Sequence, residues 1–256
     1  MAISLASIKK TTALSAPRVL LMGTAGVGKT TFASQAPAPI FLFTEDGAGA
    51  LEVDAFPLIT SFGEIMEAIT TLYSEQHEFS TVVVDSVDHL EPLIWKQVCV
   101  DHQVDSIEQL SYGKGYILAL DYWRQFLDGI NALRNDKGMA IILIGHVQIN
   151  RFESPEHDSI DRYDLKLHKR ANALIQESVD CILFAKHKTL TKTEELGFNQ
   201  KRTRGVSTGQ RVICTTETPA YVAKNRYSLP DELPLSWDAF AAAMTATKPN
   251  LTNEAA

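Results

Sequence analysis

Residues 23–30 read Gly-Thr-Ala-Gly-Val-Gly-Lys-Thr, and they restrict the possible fold more than any other stretch of the chain. The apolar run Arg18–Met22 leads into them, and Thr30–Ser34 continues with helical character. This is the G-x-x-x-x-G-K-[ST] phosphate loop in its strand–loop–helix setting. Gly23, Gly26 and Gly28 let the backbone take conformations a Cβ would forbid and bring N–H groups close to an anion. With Thr24, Ala25, Val27 and Thr31 they form a cradle at a helix N-terminus, where phosphate is favoured. Lys29 places a point charge between the β- and γ-phosphates, and the Thr30 hydroxyl is placed to ligate Mg²⁺. The motif predicts a chain that binds a nucleoside triphosphate.

Around this loop the chain alternates between strand and helix. Ile40–Phe43, Thr81–Val84 and Met139–Ile144 are short all-apolar runs of the kind buried in a parallel sheet. Leu58–Thr60 is a further candidate strand. Ser61 and Glu64 have capping-box spacing ahead of a helix to Tyr73, and further helices are expected at 88–100, from about 116 to 134, and at 171–178. The mixed-charge segment 147–170 has no clear period and is expected to be a long functional loop. After 186 the pattern changes to alternating segments with Thr and Gly turns, as in antiparallel edge strands. The fold class expected is α/β: a mainly parallel central sheet flanked by helices, with a C-terminal antiparallel extension. Residues 1–17 are expected to be a flexible arm, 18–235 the core, and 236–256 a helix and disordered tail.

Composition narrows the class further. The net charge of −7 excludes a protein coated all over with nucleic acid but permits a local basic groove. Residues 1–150 carry 9 Lys/Arg against 17 Asp/Glu, whereas 186–211 carry 7 against 2. Cys99, Cys181 and Cys214 are widely spaced, so neither a disulfide framework nor a zinc site is implied and a reducing cytoplasm is expected. No apolar run approaches membrane-spanning length.

Asp85 closes a run of three valines; a carboxylate at the end of a buried strand beside the phosphate-loop strand can hold Mg²⁺. Hydrolysis also needs a group to orient the attacking water. ATPases of the AAA+ branch place it beside the Mg²⁺ aspartate, but here that neighbour is Ser86. Glu45, ending the strand after the phosphate-loop helix, is the other candidate; that geometry points its carboxylate at the γ-phosphate from the neighbouring strand, with a solvated acidic turn as the plainer reading. His146 ends the strand 139–144 and could sense the γ-phosphate or simply be a hydrogen-bonded strand end.

Together, the phosphate loop, Phe41-Leu-Phe-Thr-Glu45, Asp85, the polar strand end at His146 and the late basic Lys224-Asn-Arg226 resemble the RecA/RadA recombinase core. More narrowly the chain resembles the RecA-like ATPases of the phage Sak single-strand annealing group. The resemblance implies a catalytic role for Glu45, a sensor role for His146, and Lys224 and Arg226 as cations reaching the ATP of a neighbouring subunit. It implies ATP and Mg²⁺ as cofactors, single-stranded DNA as partner, assembly into a ring or filament, a single-stranded-DNA-binding protein as a further partner, and the cytoplasm of a bacterial host. It places DNA contacts at Tyr112, Lys114 and Tyr116 in a first loop and at Arg151, Arg162, Lys166, Lys169 and Arg170 in a second. Competing readings are an AAA+-like helicase loader acting on a protein and a small-molecule kinase.

Overall fold

The computed structural model describes residues 15–47, 49–153, 158–196 and 200–246. The expectations for the N-terminal arm and for the last residues of the tail fall almost wholly outside them. The chain runs β1 (Arg18–Gly23), α1 (Lys29–Ser34), β2 (Pro39–Phe43), β3 (Asp54–Ala55), α2 (Phe62–Ser74), β4 (Thr81–Asp85) and α3 (Val87–Asp101). Two 3₁₀ turns at 107–109 and 111–113 precede α4 (Lys114–Lys137). There follow β5 (Ala140–Phe152), β6 (Ile160–Leu165), α5 (Lys169–Ser178), β7 (Cys181–Leu196), β8 (Gln200–Cys214), β9 (Lys224–Asn225), β10 (Glu232–Pro234) and α6 (Trp237–Ala246).

The sheet order is β10-β8-β7-β1-β5-β4-β2-β3, with β6 added to β5 and β9 to β7. β3, β2, β4, β5, β1 and β7 are parallel, and β8, β10, β9 and β6 join antiparallel. The fold is that of a P-loop NTPase. Side-chain alternation explains why the central strands read as unbroken apolar runs. Leu20, Met22, Val82, Val84, Ile141 and Leu143 face a core shared with α2–α5, while Val19, Leu21, Val83, Ile142 and Ile144 face a second core with α1 and α6. A strand covered on both faces has no polar side to show. On the second face Phe32 packs edge-on against Trp237 and Phe240 at 5.7 and 6.1 Å.

Several expectations are corrected here. β4 does not lie beside the phosphate-loop strand, because β5 sits between them, pairing with β1 on one edge and β4 on the other. Its first half is apolar on both faces, which suits the most enclosed place in the sheet. Glu45 therefore follows a strand three places from β1, not one. Leu58–Thr60 is not a strand; the short edge strand is Asp54–Ala55. Ser61 caps α2 by accepting from the Glu64 N–H, but the Glu64 carboxylate accepts from Thr60 N, one residue upstream of a true box.

The segment 147–170 is also not a structureless loop. β5 continues six residues past His146 and pairs antiparallel with β6, Val147 opposite Leu165 and Phe152 opposite Ile160. The ribbon lies mostly in solvent, so its residues carry no alternation of burial to read. Likewise Tyr112–Tyr116 is not an open loop. It spans a tight turn and the first turn of α4, with Gly115 packed so closely on Ile107 that a Cβ would meet its side chain and carbonyl oxygen. β7 and β8 form a second ribbon from the same sheet edge, with a register shift between His187 and Thr189. No helix among the described residues is long and apolar enough to cross a membrane.

At the opposite edge, Asp180 gathers cations. It pairs with Arg18 at 2.9 Å and Arg134 at 3.3 Å, and accepts from the Tyr227 hydroxyl at 3.2 Å. This ties the start of β1 to α4 and to the segment after β9.

Candidate nucleotide site

The phosphate loop leaves β1 at Gly23, whose Cα faces β7 so tightly that a Cβ would run into the Ala185 carbonyl oxygen. Gly26 and Gly28 take φ of 73° and 105°, the left-handed region where a side chain is strained. The loop ends at the N-terminus of α1, and Lys29 is 5 % exposed. Its ammonium donates to the carbonyl oxygens of Gly23 and Thr24 at 3.0 and 3.1 Å. Burial pushes the Lys29 pKa down, while Asp85, Asp88 and Glu45 pull it back up. A partly desolvated cation beside the backbone N–H groups of a helix N-terminus is suited to a polyanion.

Thr30 Oγ1 donates to Asp85 Oδ2 at 2.7 Å. Burial raises the Asp85 pKa, opposed by the Thr30 hydroxyl, so a cation would relieve the cost of ionising this carboxylate. One hydroxyl and one carboxylate in contact, with room for waters and phosphate oxygens, fit the hard-oxygen preference of Mg²⁺.

Glu45 reaches the same cleft despite its distance in strand order. The cleft, about 340 Å³, is lined by Gly26, Gly28, Lys29, Thr30, Glu45, Asp85, His146 and Arg211 among others. Thr44 anchors the turn before Glu45: its hydroxyl donates to Ser86 O at 2.6 Å and accepts from Ser86 N at 2.9 Å. The Ser86 hydroxyl donates to Glu45 Oε1 at 2.9 Å and sits 2.8 Å from His89 Nδ1. His146 Nδ1 lies 3.1 Å from Asp88 Oδ2, and its backbone N–H donates to Asp88 Oδ1 at 2.9 Å. Burial pushes the Asp88 carboxyl up, but the hydrogen bonds and charge of His146 prevail and hold it at about 2.

Three residues in or beside this site carried no signal strong enough to single out: Arg211, Asp88 and His89. Arg211, opposite His187 on β8, extends its guanidinium over the phosphate loop, 3.4 Å from Val27 O and 2.6 Å from where a Cβ on Gly28 would sit. The only hint in the sequence was the basic excess of 186–211.

The other expected residues fall elsewhere. Lys224 is committed within its own subunit: its ammonium donates to Gln176 O, Glu177 O and Val179 O at 2.8, 3.2 and 2.7 Å, closing the C-terminus of α5. Within this subunit it caps a helix end, whose unpaired carbonyls attract it, rather than reaching outward. Arg226 is 56 % exposed, 3.6 Å from Asp180.

Of the expected DNA-facing residues, Tyr112 is fully exposed, and Lys114, Arg151, Lys166, Lys169 and Arg170 are exposed. Arg151 pairs with Asp161 at 3.5 Å. Tyr116 is no open stacking surface, being stacked on His168 at 4.3 Å and edge-on to Trp95 at 5.4 Å. Arg162 turns inward to Glu217 and over the Phe152 ring, with 12 % of its side chain exposed. Tyr116 is held near the base of the ribbon, beside His168, and Arg162 farther along it.

The family model described as an AAA domain matches residues 15–227. The chain belongs to that AAA domain family. The match spans the phosphate loop, Asp85, the sheet and both ribbons, so the AAA domain is the nucleotide-binding body of the chain, a P-loop ATPase. No curated protein matches it.

Proposed function

We propose that this AAA domain hydrolyses ATP with Mg²⁺ on single-stranded DNA, assembling there as a RecA-like annealing or recombination ATPase of a phage in a bacterial cytoplasm. The observation that carries this reading is the position of Glu45. It lines the cleft with Lys29, Thr30 and Asp85, while the position next to Asp85 is a serine whose hydroxyl holds that same glutamate.

Lys29 exchanges its loop carbonyls for phosphate oxygens when triphosphate enters. Thr30 and Asp85 would hold Mg²⁺, which screens charge on the β- and γ-oxygens. Glu45, oriented by Ser86, accepts a hydrogen bond from the attacking water. Arg211 offers a guanidinium from the same subunit where negative charge builds on the transferred group. His146, tied to Asp88, joins the cleft to the β5–β6 ribbon that starts one residue later. DNA lies across the foot of the β5–β6 ribbon, on the exposed cations Lys114 at the start of α4, Lys166 just after β6, and Lys169 and Arg170 at the start of α5, as sequence-independent phosphate contacts.

The test measures ATP turnover and images particles with and without single-stranded DNA and ATP. Stimulated turnover and ATP-dependent assemblies on DNA support the reading; neither effect at low salt overturns it. The AAA match favours a second reading, a helicase-loader-like ATPase with a protein partner. That reading expects turnover unaffected by DNA and raised by a helicase.

A further inference from the structure

Three elements aim a metal-binding side chain at one point beside the phosphate cradle. Glu45 follows β2, His89 lies in the first turn of α3, and His146 lies where β5 leaves the sheet. His89 Nδ1 is 3.4 Å from Glu45 Oε2, and His146 Nδ1 is 3.8 Å from Glu45 Oε1. One ligand atom from each of the three falls within 4.8 Å of the others. A tetrahedral ion with bonds of about 2.0–2.1 Å separates its ligand atoms by roughly 3.3–3.4 Å. The cluster therefore needs only small side-chain rotations to close on an ion.

Neighbours hold the three in place. The Ser86 hydroxyl bridges Glu45 and His89, and the Asp88 carboxylate lies 3.1 Å from His146 Nδ1 and 3.5 Å from His89 Nδ1. These contacts set the positions of the side chains before an ion binds. Because they use the same Nδ1 atoms, binding exchanges them for the ion, while the Ser86 hydroxyl stays on Glu45 and Asp88 stays anchored to the His146 backbone N–H. The side chains are 25 %, 42 % and 24 % exposed for Glu45, His89 and His146, so an ion can enter from solvent.

The donor set differs in kind from that of the neighbouring Thr30–Asp85 pair. Two imidazoles and a carboxylate suit Zn²⁺ and its first-row relatives, whereas Mg²⁺ prefers oxygen alone. We infer that Glu45, His89 and His146 form a second cation site, selective for a divalent transition ion of the Zn²⁺ class. Occupancy ties up the Glu45 carboxylate and arrests hydrolysis while leaving the phosphate loop free to bind nucleotide. The binding claim stands alone; the arrest rests on the proposed role of Glu45.

Co²⁺ titrated into the metal-stripped full chain without nucleotide is the direct test. One equivalent should bind with the visible absorption of a low-coordinate Co²⁺ centre, Zn²⁺ should displace it, and Mg²⁺ in large excess should not. His89→Gln and Glu45→Gln should each weaken binding by at least the roughly 10–100-fold that even outer-sphere partners cost, and exposed His102→Gln should leave it unchanged. Circular dichroism of His89→Gln verifies folding. No visible band, or equal affinity in the folded His89→Gln chain, overturns the site. A band with no slowing of turnover by Zn²⁺ overturns the arrest. Absence of DNA-stimulated turnover alongside a normal band removes the proposed function and leaves the site standing.

Discussion

Arg211 shows how one side chain can alter the expected working of the site. The resemblance to RecA-type cores implies cations lent by a neighbour, yet this guanidinium already overhangs the loop within its own chain. Arg211→Ala should slow ATP turnover by about 100-fold at saturating nucleotide. Arg211→Lys should recover little of it, because an ammonium cannot present the planar fork. Steady-state kinetics on both variants checks this. The places of Lys29 and Thr30 in the cleft were legible in advance because the motif sets them side by side along the chain. Those of Asp85 and Glu45 were legible as polar residues closing apolar strands, although the strand order behind both inferences was wrong. Arg211 was not legible, since its contact with Val27 spans most of the chain and no local spacing encodes it. His89 looked like an ordinary helix residue until folding set it beside Glu45.

At the scale of the elements, the apolar strands were readable because each is buried on both faces. The β5–β6 ribbon was not, because pairing in solvent leaves no trace in hydropathy. The close seam between β1 and β7 leads to a prediction. Gly23→Ala should force the strands apart at Ala185, lowering stability by about 1–3 kcal/mol and weakening nucleotide binding, measured by thermal melting with and without ATP. The cation cluster on Asp180 gives another. Burial works against this carboxylate, but Arg18 and Arg134 overcome it and lower its pKa from 3.8. A depressed folded-state pKa stabilises the protein above the unfolded value, and the contribution fades as pH falls through the folded one. Asp180→Asn should therefore lower stability at neutral pH by about 1–3 kcal/mol. The difference from the parent should shrink below about pH 3.8 as the parent's Asp180 protonates, read from urea midpoints across pH.

For the molecule as a whole, the proposed assembly turns on which cations can reach a neighbour. Lys224 is occupied on α5, which leaves Arg226 as the residue of that pair able to reach outward. Arg226→Ala should change monomer stability by less than about 1 kcal/mol, yet lower turnover once the protein is concentrated enough to assemble on DNA. Rate against protein concentration, with mass photometry alongside, separates the two effects. Equal turnover of parent and variant in the assembled state would exclude Arg226 from a neighbour's site.

The strand that carries Arg211 into the cleft is also one side of the outer arm. From Ser207 back to Gln200 it is a regular ladder paired with Thr189–Leu196, roughly 25 Å long, and a register shift separates it from Arg211. The register shift at His187–Thr189 falls beside Arg211's own pairing partner, so the ribbon's regular pairing breaks next to the cleft. Were the proposed DNA to grip the distant end, it and a triphosphate at the near end would pull on one lever with its fulcrum at the cleft.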